Sequence, residues 1–152
     1  MSHSPTLRTF LWFNDNLEDA LDFYSELFGS DFNLHTSSRP EPAGKLMTAE
    51  FSIYGHELVG MGYPGGPEFN PSISLSIACD GQAETDRLWD AITQKGQEGQ
   101  CGWCVDEFGV SWQISPIQMG EHLGNPDSEK AAFAWQAMRG MKKIVIADLI
   151  SR

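Results

Sequence analysis

The same local pattern occurs twice in this chain. Residues 9–28 combine a strand-like run, a short polar turn and an amphipathic helix, and residues 74–94 repeat that order. Asp80 stands 65 positions after Asp15 in the corresponding turn. Each copy is followed by two further strand-like runs. A duplicated unit usually builds one composite site from its two copies, so the repeat is the strongest indication of where function lies.

The first copy predicts a strand followed by an amphipathic helix. The apolar run 7–13 is typical of a buried strand, and Asn14, Asp15 and Asn16 offer side-chain acceptors for the free amides of a helix start. Gly29 ends the helix, where a left-handed residue is favoured. The apolar positions with helical spacing are Leu17, Ala20, Leu21, Tyr24, Leu27 and Phe28.

The rest of the first half predicts a loop and a hairpin. Residues 32–45, rich in serine and proline, predict a loop, and 46–54 alternate between apolar and polar residues as a strand does. Gly55 and His56 predict a two-residue turn into a strand over 57–61. The glycines and prolines that follow indicate a linker between the halves.

The second copy begins with a strand that has one apolar and one hydroxyl-bearing face. The aliphatic face is expected to pack on helices and the serine face to border a polar concavity. Asp80 is expected to cap the next helix, and 100–105 and 110–114 are the closing strands, joined by a turn at 106–109. The alternating residues are Ile73, Leu75 and Ile77 against Ser72, Ser74 and Ser76, and the helix buries Thr85, Leu88, Trp89 and Ile92.

The C-terminal segment has no counterpart in the first half. Asn125-Pro-Asp127 predicts a helix start, and 142–150 predicts a second helical piece. Both pieces are rich in apolar residues, so this tail is expected to cover the body of the domain or a partner chain.

Composition excludes several classes of partner. The chain has 152 residues, 10 basic and 21 acidic side chains, and a formal charge of −11, which argues against binding nucleic acid or anionic membranes. No apolar run approaches the length of a membrane span, and residues 1–6 lack the features of a signal peptide. Three cysteines, an odd number, suit a reducing compartment, so a cytoplasmic location is expected.

Two of these cysteines have C-x-x-C spacing. Cys101 and Cys104 flank Gly-Trp, but a turn follows them rather than a helix or a second cysteine pair. Structural thiols are therefore favoured over a redox or metal motif.

Several local motifs together resemble the PhnB-like branch of the vicinal oxygen chelate superfamily, which includes glyoxalases, extradiol dioxygenases and bleomycin- and fosfomycin-resistance proteins. The matching segments are Phe10-Leu-Trp-Phe13, 16–24, 47–51, 65–71, 99–103, 106–113, and the tail around 136–143. The resemblance implies an α+β fold of two tandem βαβββ modules that form a cupped mixed sheet, plus C-terminal helices. It also implies a homodimer in which such cups are built or bordered by both chains, and the apolar C-terminal helices are expected to contribute to that dimer. The expected boundaries are module 1 at 5–63, a linker at 64–71, module 2 at 72–117 and a helical tail at 118–152.

The resemblance also indicates the positions at which a metal site would have its ligands. Metal-dependent members take ligands from the first and last strand of each module, positions that fall here on Thr9, on Ser74 or Ser72, on Val59 or Gly60, and on Gln113. Of these only Gln113 is a plausible donor. His3, His35, His56 and His122 are expected to face solvent, since none is paired with another at ligand spacing. Neither a metal nor another cofactor is therefore expected.

The cup implied by the resemblance is expected to bind a small organic molecule. Two candidate catalytic groups lie near it: Glu50 as a general base and Cys101 as a nucleophile. Against these roles, Glu50 is also explained as a surface acid and Cys101 as a packed thiol. The predicted cup residues are Thr9, Leu11, Ser74, Ser76, Trp103 and Gln113.

Three functions stay open. The first is a metal-free binding or enzyme scaffold; the second is a metal-dependent lyase, isomerase or dioxygenase; the third is a resistance-type protein that sequesters a drug, with the acidic surface favouring cations. Relatives often carry a demethylubiquinone methyltransferase label. The sequence does not support it, because no strand, glycine loop and helix follow one another as a site for a methyl-donor nucleoside requires.

Overall fold

The chain forms two compact units, which divide between Pro67 and Glu68 within the segment predicted as a linker. The structure, a computed structural model, describes residues 2–152. Each unit contains one four-stranded mixed sheet and a helix between its first two strands, the βαβββ order expected from the sequence. The α+β fold with C-terminal helices is therefore confirmed.

Unit 1 places its first strand beside its last. The sheet order is β1-β4-β3-β2, with β1 parallel to β4 and the other neighbours antiparallel. The elements are β1 (Thr9–Phe13), α1 (Leu17–Phe28), a 3₁₀ turn (Gly29–Asp31), β2 (Phe32–Ser38), β3 (Thr48–Ile53) and β4 (His56–Gly62).

Helix α1 covers one face of this sheet. All six of its predicted apolar positions are buried, which confirms the periodicity argument. Gly60 of β4 allows a close approach, because a Cβ there would lie 2.6 Å from Cδ1 of Leu17. The opposite face of the sheet, without α1, is called the open face of unit 1.

Helix α1 begins without the predicted side-chain cap. Asn16 is the N-cap residue, but its side chain makes no capping hydrogen bond. Asn14 instead accepts a 2.7 Å hydrogen bond from the backbone amide of Gly66. The polar turn therefore fixes the linker rather than the helix start.

Unit 2 repeats the arrangement in the order β5-β8-β7-β6, with β5 parallel to β8. Its helix α2 starts 65 positions after α1 and has the same length of 12 residues. The predicted stripe of α2 is buried. The elements are β5 (Leu75–Cys79), α2 (Gln82–Thr93), β6 (Gln97–Glu98), β7 (Trp103–Val105), β8 (Ser111–Pro116), α3 (Ile117–Leu123), α4 (Ser128–Arg139) and a 3₁₀ turn (Ile146–Leu149).

Three local predictions are wrong. The segment 32–45 begins with strand β2, whose side chains are almost all exposed, so no apolar alternation marks it. Of the strand predicted over 100–105, only β7 forms, because Cys101 and Gly102 have φ of 57° and 83° and form a turn before it. Asp80 does not cap α2, which starts after Gly81.

The tail folds back onto unit 2. Asp127 caps α4 by accepting from the amides of Glu129 and Lys130, at the helix start the sequence predicted. Ala134, Ile144 and Leu149 form a buried cluster, surrounded by partly buried apolar residues. The tail therefore adds a second small core to this unit.

Of the helical piece predicted over 142–150, only Ile146–Leu149 is helical, as a 3₁₀ turn, because the backbone before it binds other elements. Lys142 O accepts from Gly102 N at 2.8 Å. The Gln82 carboxamide donates to Ile144 O at 2.9 Å and accepts from Ile146 N at 2.7 Å. Hydrogen bonding to this carboxamide, together with the Lys143 ammonium, lowers the pKa of Asp86. Among residues 2–152, no helix is long and apolar enough to cross a membrane.

Candidate functional site

One face of the unit 2 sheet carries hydroxyl and amide groups. Trp112 and Ile114 of β8 are buried on the side of α2, so the alternate residues of β8 point the other way. In the register, Gln113 lies beside Ser76 of β5 and opposite Trp103 of β7. This surface is called the hydroxyl face and consists of Ser74, Ser76, Trp103, Ser111, Gln113 and Ser115.

Four of the six predicted cup residues lie together on the hydroxyl face. The Gln113 Nε2 donates to Ser74 Oγ at 2.8 Å, which fixes the carboxamide between β5 and β8. The Trp103 ring on the other side is 37% exposed. An exposed aromatic ring beside an oriented amide suits a small organic ligand, since the ring supplies area and the amide supplies direction.

The sequence reasoning missed Ser111. Its side chain is 3% exposed, and its hydroxyl has no hydrogen-bond partner among the described residues. The alternation of Ser111, Gln113 and Ser115 with apolar residues could have revealed it, as the same alternation revealed the serines of β5. A buried hydroxyl without a partner is uncommon and needs an explanation.

A buried carboxylate holds the turn that leads into β8. Asp106 is 3% exposed, and its Oδ1 accepts from the amides of Phe108 and Val110 at 2.9 and 3.0 Å. Its Oδ2 accepts from the Trp112 indole at 2.9 Å. These bonds fix the start of β8 and therefore the position of Ser111 and Gln113.

In unit 1, the structure separates the other two predicted cup residues from the open face. Leu11 is 7% exposed and belongs to the core on the side of α1. Thr9 lies on the same side of β1, and its hydroxyl is 2.9 Å from His56 Nε2. The open face carries Phe10 and Trp12 of β1 instead.

Glu50 lies on the open face of unit 1 and forms an ion pair. Its Oε1 accepts from Arg8 Nη1 at 2.9 Å, and both side chains are about half exposed. The carboxylate is therefore paired with a guanidinium and in contact with solvent, which is the environment of a surface acid.

Cys101 lies in the turn before β7, against the tail. Its amide donates to Met141 O at 2.8 Å, and its thiol lies 3.5 Å from Met138 O. It does not share a face of β7 with Trp103, as the sequence had predicted, because its φ is positive. All three cysteines are free.

Burial keeps two of these thiols neutral. It raises the pKa of Cys79, and burial together with the Asp106 carboxylate raises the pKa of Cys104 to about 12. Neutral thiols are poor nucleophiles, so both are structural groups.

The raised pKa of Cys104 predicts a loss of stability at alkaline pH. The unfolded chain releases this proton near pH 8.5 and the folded chain only near 12, so the free energy of unfolding falls between these values, by up to about 1.4 kcal/mol per pH unit. Urea unfolding of the parent and of Cys104→Ala should give curves that converge as the pH rises from 8 to 10. Parallel curves would contradict this prediction.

The two faces do not fit a divalent metal ion. In unit 1, Phe10 and Trp12 of the first strand and Val59 and Met61 of the last strand offer no oxygen ligand. In unit 2, Ser76 and Gln113 offer a hydroxyl and a neutral amide. His35 and Glu57 pair at 3.1 Å. Across residues 2–152, no three His, Cys, Asp or Glu side chains lie close enough to hold a metal.

Unit 1 also contains a surface cleft of about 610 Å³ between the start of α1 and residues 40–47. Carboxylates line it, among them Asp15, Asp19 and Glu41. Glu18 in the same cleft pairs with Arg39. Acidic side chains in the first turn of a helix are favoured by the helix dipole, so their presence here has a structural reason.

The comparisons with known structures agree with this architecture. A PhnB protein from Bacillus cereus is 26% identical with a TM-score of 0.66, and the alignment covers 74% of this chain and 99% of that one. Protein PA1353 from Pseudomonas aeruginosa is 25% identical with a TM-score of 0.60, covering 74% and 98%. The fosfomycin-resistance protein FosX from Listeria monocytogenes, solved with Mn(II) and sulfate, has 14% identity, covers 73% and 90%, and shares the fold with a TM-score of 0.52.

The sequence comparison gives the family. No curated protein matches the chain. The sequence profile described as 3-demethylubiquinone-9 3-methyltransferase matches residues 5–115, which include both βαβββ modules almost entirely and leave out the tail. The chain therefore belongs to the 3-demethylubiquinone-9 3-methyltransferase family and is PhnB-like in sequence and fold.

Proposed function

We propose that the chain binds a small organic molecule on the hydroxyl face of unit 2 without a metal ion. The observation that carries the proposal is the arrangement of Ser74, Ser76, Trp103 and Gln113 on one sheet face, with the Gln113 carboxamide oriented by Ser74. Few, directed polar groups beside an aromatic ring are typical of small-molecule sites. Glu50 and Cys101 are not required for this function.

Trp103→Ala tests the proposal. Trp103 carries the one aromatic ring among the residues that define this face, so its removal is expected to weaken ligand binding by roughly tenfold or more. The measurement is a binding titration with an aromatic fragment library, followed by ligand-observed NMR. Tyr63→Ala, which removes a similarly exposed aromatic ring in unit 1, is the control. Equal effects of the two substitutions would argue against the proposed face.

Methyl transfer is not part of the proposed function, although the family's description names it. The glycine-rich stretch 60–66 is followed by loop residues rather than by a helix, so a site for a methyl-donor nucleoside of the dinucleotide-fold type has no support. Calorimetric titration with S-adenosylmethionine is expected to give no heat of binding. Stoichiometric binding would overturn this view.

We also propose that the chain is a cytoplasmic homodimer to which the tail contributes. Large apolar side chains of the tail, and of the residue just before it, are about half exposed: Ile117, Phe133, Trp135 and Ile150. Exposed groups of this kind are typical of interfaces. The three free thiols support a reducing compartment. Light scattering of the purified chain gives the oligomeric state directly.

A further inference from the structure

We infer that the ligand of the hydroxyl face is an uncharged aromatic molecule that presents an oxygen acceptor to the hydroxyl of Ser111. This inference rests on the proposed function and specifies the chemistry of the same site. It begins with Ser111, whose hydroxyl is buried, lacks a partner among the described residues and lies on that face in the register.

The charge of the site excludes ionic ligands. In the register of β5 to β8, the polar groups that the described residues direct to this face are serine hydroxyls, glutamine amides and the Trp103 indole N–H, and none is charged. Gln97, opposite Val105, continues the face with another neutral amide. A carboxylate or ammonium group would lose its water here without gaining a counter-charge, which is costly.

The hydrogen-bonding groups specify what the ligand must offer. Gln113 donates one of its two Nε2 hydrogens to Ser74, so its carbonyl oxygen can accept a hydrogen bond from a ligand and its second Nε2 hydrogen can donate one. Ser111 has a hydroxyl hydrogen with no acceptor. A carbonyl or phenolic oxygen on the ligand would satisfy it, and the recovered hydrogen bond would favour binding because the unpaired state is unfavourable.

The aromatic part of the ligand follows from Trp103. Its ring is partly exposed directly opposite Gln113, on the strand beside β8. An aromatic ring on the ligand can stack on this indole while its oxygen points along β8 toward Ser111.

Four probes with the same ring separate these requirements. Acetophenone carries a neutral acceptor, ethylbenzene has nearly the same shape without it, and benzoate and benzylammonium carry the two charges. Affinities are measured by ligand-observed NMR titration. Acetophenone should bind at least about tenfold more tightly than either ion. Binding of an ion as tightly as acetophenone, or no detectable binding of acetophenone, overturns the inference.

Ser111→Ala tests the hydrogen bond. It should weaken acetophenone binding by about 5- to 30-fold and leave ethylbenzene unchanged. Ser25→Ala, on the exposed side of α1, should leave both unchanged. The melting temperature of Ser111→Ala should stay the same or rise by a few degrees, because no hydrogen bond is lost. If Ser111→Ala leaves the acetophenone affinity unchanged, or lowers the melting temperature by about 5 °C or more, the inference is overturned.

Trp103→Ala distinguishes an error in the ligand chemistry from an error in the proposed site. If acetophenone binding depends on Trp103 but not on Ser111, the ligand chemistry is wrong while the site stands. If it depends on neither residue, the proposed site itself is wrong.

Discussion

Replacing Asp106 with alanine is expected to lower the free energy of unfolding by about 3–5 kcal/mol. The carboxylate is 3% exposed and accepts three hydrogen bonds, and its removal leaves two buried donors, the Val110 amide and the Trp112 indole, without partners. Asp106→Asn should cost less, about 1–3 kcal/mol, because one oxygen still accepts while the amide group opposes the indole N–H. Urea unfolding followed by tryptophan fluorescence measures both.

Glu107→Ala is the matched control for Asp106. It removes the same charge from the neighbouring, exposed position of the same turn and should change stability by no more than about 0.5 kcal/mol. If Asp106→Ala and Glu107→Ala were equally mild, the hydrogen bonds of Asp106 would not be what holds the turn.

Ile144→Ala is expected to destabilise the protein by about 3 kcal/mol, although Ile144 lies outside the matched family profile. Its side chain is fully buried beside Ala134 and Leu149, and truncation leaves a cavity. Ile73→Ala, the same substitution at a 75% exposed position of unit 2, should fall within about 0.5 kcal/mol of the parent. Urea unfolding and limited proteolysis of the tail give the comparison.

Equal stabilities of the Ile144 and Ile73 variants would show that the tail contributes little to the core of unit 2. The expected difference instead makes the tail part of the core of unit 2. About a quarter of the chain is not aligned with the Bacillus cereus protein. The expected difference would show that removing the tail destabilises unit 2 even though that protein matches without it.

The fold was predictable where burial leaves a periodic signal. Helices α1 and α2 were found because their buried positions recur at helical spacing. Strand β2 was missed because it is an edge strand with exposed polar side chains, held by its hydrogen bonds to β3. The helix predicted over 142–150 was too long because apolar content does not distinguish a helix from the non-helical residues 142–145, which are held in part by Gln82.

The candidate site was predictable only in unit 2. In β5, serines alternate with aliphatic residues, so the sequence indicates which face is polar. In β1, Phe10 and Trp12 alternate with Leu11 and Phe13, and both faces are apolar. The alternation of side chains therefore cannot show which face of β1 is buried. For this reason Leu11 was predicted on a ligand surface, although it lies in the core. The alternation along β8 indicates the face of Ser111 in the same way, but the lack of a partner for its hydroxyl is a property of three-dimensional packing.

The parallel pairing of first and last strands has a consequence for how the chain assembles. Strands β2, β3 and β4 can pair as successive antiparallel neighbours. Strand β1 pairs only with β4, about 50 residues later in the chain, where Thr9 lies beside Leu58. In unit 2 the corresponding closure spans about 40 residues, from Leu75 to Trp112. During synthesis, the ladder of unit 1 can therefore close as soon as residue 62 is available, before the strands of unit 2 exist. Because of the duplication, each parallel pair of strands forms within its own unit, over a shorter stretch of chain and in the order of synthesis.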